Sequence, residues 1–109
     1  MMQSSPLFTQ TYDLLLWLIP QAQKFPRLHR FTLAERVQRL AMDFQDCLIA
    51  AGKARGAHRL DLLKRADVHL AQLRIWVRMA HDLECLSLRQ YEYAAGLITG
   101  VGNLLGAWL

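Results

Sequence analysis

Apolar residues recur three and four positions apart in four separate stretches of this chain, and no stretch alternates apolar with polar in the manner of a strand. That spacing sets the apolar side chains along one side of a helix, and such a helix has to bury that side against others. The first stretch opens at Ser5-Pro6, with Ser5 as N-cap and Pro6 suited to the first helical position. Phe8, Tyr12, Leu15, Ile19 and Ala22 follow on one face, widened by Leu14, Trp17 and Leu18. Pro20 has no amide hydrogen and crowds the preceding turn, so a kink or an early end is expected there, and Pro26 stops any continuation.

The second stretch starts at Thr32-Leu33-Ala34-Glu35, which reads as a capping box between Thr32 and Glu35. Its stripe is Leu33, Val37, Leu40, Phe44 and Leu48, and Gly52 and Gly56 read as turn glycines. The third carries two seams: Leu63, Ala66, Leu70, Leu73, Val77 and Ala80, and beside it Leu62, His69, Trp76 and Leu83. Two seams imply two packing partners. The fourth opens with a second capping-box pattern, Ser87 and Gln90. Leu88, Tyr91, Ala95, Ile98, Gly102 and Leu105 face one way, but Ala94, Leu97, Val101, Leu104 and Trp108 make it apolar nearly all round, which implies burial on both sides. Helices at roughly 6–24, 32–52, 58–86 and 88–106, joined by short loops, give an all-α, up-down antiparallel four-helix bundle as a single domain over 1–109.

At 109 residues and 53% hydrophobic, the chain has more apolar surface than so small a core hides, so another subunit is expected to cover the surplus. After Glu92 the remaining 17 residues are uncharged. They are fewer than the roughly 20 apolar residues of a membrane span, include Asn103 and lack a basic flank. The N-terminal stretch has no basic region ahead of an apolar one. A cytoplasmic protein with no membrane partner is expected. Gly96 and Gly100, and again Gly102 and Gly106, lie four apart, which leaves room for a neighbouring backbone. With Trp76 and Trp108 they are the expected helix-packing and oligomer positions.

Charge is unevenly placed. Net charge is +4. Lys24, Arg27, Arg30, Arg36 and Arg39 face only Glu35 in one segment, and Lys53, Arg55, Arg59, Lys64 and Arg65 face only Asp61 in another. Clusters of this kind favour a polyanion. Arg74 and Arg78, at i and i+4, form a further ridge that either pairs locally, Arg78 with Asp82, or holds phosphate. The candidate nucleic-acid contacts are therefore Lys24, Arg27, Arg30, Arg36, Arg39, Arg55, Arg59, Arg65, Arg74 and Arg78.

Enzymatic chemistry finds little purchase. His81 and Glu84 are in reversed order for a di-iron bundle and stand alone, and no nucleophile motif is present. Arg74 and His81, two turns apart, match the loose spacing of a helical HEPN-type ribonuclease and stand as the enzyme alternative. Cys47 and Cys85 read as reduced, buried thiols, with no CxxC or His/Cys cluster and hence no metal or cofactor. His29 and His58 sit in basic surroundings, His69 reads as a hydrogen-bonded residue of the second seam, and Trp17, Trp76 and Trp108 read as packing anchors.

Lys24-Phe25-Pro26-Arg27, the Thr32–Val37 helix start, the run Leu70–Leu83 and above all Gly100–Trp108 (GVGNLLGAW) closely resemble the accessory variability determinant (Avd) proteins of diversity-generating retroelements. The resemblance runs from about Tyr12 to Trp108, and related four-helix proteins encoded in ribosomal RNA intervening sequences share the pattern. It implies a four-helix bundle that assembles into a basic, barrel-shaped homopentamer. It also implies a non-enzymatic accessory that binds RNA or DNA and the element's reverse transcriptase during mutagenic cDNA synthesis. Asn103 stands where members often carry a basic residue, and no basic tail follows Trp108. Phosphate contact is then expected from the two basic clusters and the Arg74/Arg78 ridge.

Overall fold

A computed structural model describes residues 5–109. Among them there are four α-helices and no strand: α1 (Pro6–Gln23), α2 (Glu35–Lys53), α3 (Gly56–Asp82) and α4 (Leu88–Gly106). Each packs on its neighbours in sequence, and α1 closes against α4. At about 1.5 Å per residue α3 is about 40 Å long, matching the 43 Å long axis, so helices joined by short turns must alternate in direction. This is the expected four-helix bundle. Residues 1–4, where the reading of the N-terminus begins, lie outside the described residues.

The stripes of α2 and α3 fall as their spacing predicts. Val37, Phe44, Leu48, Leu73 and Ala80 are all fully buried, and Phe44 and Leu73 each stabilise the fold by roughly 2–3 kcal/mol. The buried face of α1 is turned by about one position from the expected one. Leu7, Leu14, Leu18 and Ala22 are buried, whereas Tyr12 is 61% exposed. Thr11 is buried among them because its hydroxyl donates to the Leu7 carbonyl at 2.7 Å. In α4 the buried face is Ala94, Ile98, Val101 and Leu105, and Leu88 lies in solvent. Both helices are apolar on most sides, so spacing alone could not choose the inward one.

Local chemistry sets the ends. Ser5 caps α1 through the Phe8 amide at 3.5 Å. The Ser87–Gln90 capping box of α4 is closed in both directions, at 2.9 and 3.1 Å. Pro20 does not end α1, which runs on to Gln23. Leu16 and Pro20 are both exposed, so the Leu16 carbonyl that loses its intrahelical donor lies on the wet side. The Thr32–Glu35 capping box does not form. Arg27–His29 is already a 3₁₀ turn and Arg30–Ala34 a π-helical turn leading into α2, so Thr32 has helical neighbours on both sides. Glu35 instead accepts from Arg39 at 2.9 Å.

The turns at either end of α3 differ from expectation. Gly52 lies within α2, and Gly56, at φ +61°, makes the turn and begins α3 two residues early, leaving His58 on its first turn. α3 ends at Asp82 in a Schellman motif: the Cys85 amide donates to the Ala80 carbonyl at 2.8 Å and Glu84 to His81 at 2.9 Å, with Glu84 at φ +65°.

Candidate nucleic-acid interface

The bundle separates the two basic clusters instead of joining them. The Gln90 side-chain Nε2 donates to the Gln21 Oε1 at 3.5 Å, so the start of α4 sits beside the end of α1. Lys24, Arg27, Arg30 and Arg36 share that end with the α1–α2 connection. Lys53, Arg55 and Arg59 lie at the opposite end, where two residues link α2 to α3. There the Arg59 guanidinium sits over the Trp108 ring, 5.1 Å from its centroid.

Pairing divides the ten candidates further. Arg39 is held by Glu35 at 2.9 Å, Arg65 by Asp61 at 3.2 Å and Arg78 by Asp82 at 4.0 Å. Glu35 raises the pKa of Arg39, by its hydrogen bond first and its charge second. These are exposed i,i+4 pairs of small energetic worth, but each puts a carboxylate where a phosphate would bind. Among the described residues Lys24, Arg27, Arg30, Arg36, Arg55, Arg59 and Arg74 have no such partner. Arg27 and Arg30 line a cleft of about 210 Å³ floored by Ala22, Phe25 and Ala34.

Arg74 lies on another side. Its guanidinium reaches across α4 to within 3.4 Å of where a Cβ on Gly102 would sit. It shares a groove of about 250 Å³ with Asp67, Thr99 and Asn103. His81 does not line that groove. It stacks on Tyr91 with ring centroids 5.0 Å apart, and its Nδ1 is 3.3 Å from Asp82. Arg74 and His81 thus lie against different parts of α4, Arg74 beside Gly102 and His81 beside Tyr91.

The packing positions are mixed. Trp17, Trp76 and Trp108 are half-buried against the core, as anchors. The glycines do not admit a backbone within the protomer: a Cβ on Gly96 or Gly106 would meet nothing within 4 Å, and one on Gly100 would meet only the Gln10 side chain at 3.2 Å. The two pairs also point in different directions, since 100 and 102 are about 200° apart on the helix. His69 Nδ1 is buried without the expected hydrogen bond.

Two apolar surfaces escaped the reading of the sequence. A groove of about 380 Å³ between α1 and α2 is lined by Phe8, Tyr12 and Ile49, and continues for about 210 Å³ past Leu16 and Ile19. On the outward side of α3, Val68, Ile75 and Met79 are 54%, 59% and 41% exposed. Their spacing of seven and four was visible in the sequence, whereas the groove depends on how α1 is rotated. Among the described residues no helix is long and apolar enough to cross a membrane.

The family model described as bAvd-like matches residues 7–109. No curated protein matches. The chain belongs to the bAvd-like family, in agreement with the resemblance carried by its closing motif.

Proposed function

We propose that this bAvd-like protein is a cytoplasmic, non-enzymatic accessory of a diversity-generating retroelement, a basic scaffold that binds RNA or cDNA and docks the element's reverse transcriptase. The family match over nearly the whole chain carries the reading. Unpaired cations at both ends of the bundle support the nucleic-acid part, because phosphate contacts need cations not already held by carboxylates. Such contacts read charge and not sequence, so specificity falls to the polymerase and to RNA structure.

A homopentamer belongs to the same proposal. A ring uses two different faces of each protomer, one against each neighbour. The α1/α2 groove and the outward ridge of α3 are two such faces, one concave and one convex, both apolar. Five protomers at +4 carry about +20, a field that attracts polyanions and weakens with salt.

The test is co-purification with the reverse transcriptase encoded beside the gene, together with RNA binding measured across salt. A stable complex and an affinity that falls steeply with salt are expected. Failure to retain the polymerase, or binding indifferent to salt, overturns the proposal.

A further inference from the structure

Most of the unpaired cations of this bundle sit towards its two ends, and Asp43, Asp46 and Asp67 lie along the helices between them. Arg30 and Lys53 bound one continuous helical run through α2, about 35 Å long at 1.5 Å per residue. That is several times the Debye length of about 8 Å at physiological salt, so the two ends act on phosphates independently. We propose that each protomer holds two separate nucleic-acid segments, one at each end, and so bridges strands instead of tracking a single one. The proposal rests on the nucleic-acid reading above.

No side of the bundle offers a row of cations from end to end. On the α2/α3 side Asp43 and Asp46 lie beside Cys47, and the nearby Arg65 is already held by Asp61. A backbone crossing there would meet carboxylates. The α1/α2 side is the apolar groove. On the α1/α4 side α1 has no cation from Pro6 to Gln23, and α4 has none after Arg89. The α3/α4 groove holds Arg74, with Asp67 in the same groove. Each of the four sides between adjacent helices is thus broken, and a strand gains by staying at one end.

The experiment uses the full chain and one short fluorescent single-stranded RNA, titrated to saturation so that bound RNA is counted per protomer, whatever the number of protomers in the assembly. Saturation is expected at two RNAs per protomer. One variant removes charge from one end (Lys24→Gln, Arg27→Gln, Arg30→Gln) and a second from the other (Lys53→Gln, Arg55→Gln). All five positions are exposed, and an unchanged melting curve confirms the fold. Each variant should saturate at one RNA per protomer, with binding of the second weakened about tenfold or more, as expected for the loss of two or three phosphate contacts. Two results overturn bridging: saturation at two RNAs per protomer by either variant, or loss of all RNA binding when either end is neutralised, which would mean one composite site. If the unmodified protein binds no RNA even at low salt, the nucleic-acid reading itself falls, and bridging with it.

Discussion

The Arg59 guanidinium lies 5.1 Å from the centroid of the Trp108 ring, tying the first turn of α3 to the turn that follows α4. Trp108 is half-buried against the core, and its amide donates to the Leu105 carbonyl at 2.9 Å, so the contact closes the C-terminal end of the bundle. Trp108→Ala should cost about 2 kcal/mol through lost apolar burial. A double-mutant cycle with Arg59→Ala should give a coupling of about 0.5–1 kcal/mol, the size of an exposed cation–π contact. Chemical denaturation of the four proteins measures it, and strictly additive effects would show that the contact contributes nothing.

How far the sequence could be read depends on what each helix faces. The stripe of α2 was legible because polar residues such as Glu35, Arg36 and Arg39 mark its outer side. In α1 the outer side carries Tyr12 and Leu16, so the periodicity placed Tyr12 inward when it is largely exposed. The cations were legible as charges, but whether each was free depended on rotamers and on i,i+4 neighbours: Arg39 is taken by Glu35, and Arg36 is not. The most consequential feature, two +4 clusters at opposite ends, is a property of the turn at Ala54-Arg55 and of the length of α2, and no local motif carries it.

Glu84 holds φ +65° at the C′ position of the Schellman motif that ends α3. A side chain with a Cβ pays about 1–2 kcal/mol for that conformation, and glycine does not. Glycine also loses more freedom on folding, which returns part of the gain. Glu84→Gly should therefore raise stability by up to about 1 kcal/mol, seen as a higher melting temperature. A lower one would mean that the Glu84 side chain makes a stabilising interaction outweighing the backbone strain.

Burial raises the pKa of both thiols, and at Cys47 the carboxylate of Asp43 adds to the effect while Arg65 opposes it. The thiolate is the reactive form. Alkylation by iodoacetamide at mildly alkaline pH should therefore be slower in the folded protein than in the chain unfolded by urea. Its rate should keep rising at pH values where the unfolded chain has levelled off. The folded state holds its thiol protons longer, so this contribution to stability is fully present below the ordinary thiol pKa and is lost as pH rises from there through the raised folded value. Asp43→Asn should move the Cys47 profile towards lower pH and leave that of Cys85 in place. Equal profiles for folded and unfolded chains would contradict the assignment.

The glycines of α4 separate fold from assembly. A Cβ on Gly96 or Gly106 would meet nothing within 4 Å in the protomer. Alanine is the better helix former by about 1 kcal/mol, and less at a frayed end, so Gly96→Ala should raise the melting temperature and Gly106→Ala should raise it less. Leucine at either position should leave the helical circular dichroism unchanged, because its side chain extends into open space. If a neighbouring subunit packs over either glycine, the leucine variant at that position should sediment as a smaller species while the isolated fold persists. Gly106→Leu with normal size and normal melting temperature would place that face outside the subunit interface, leaving the α1/α2 groove and the α3 ridge to form it. Loss of the fold itself would mean that α4 packs more closely within the protomer than the open space around Gly106 indicates.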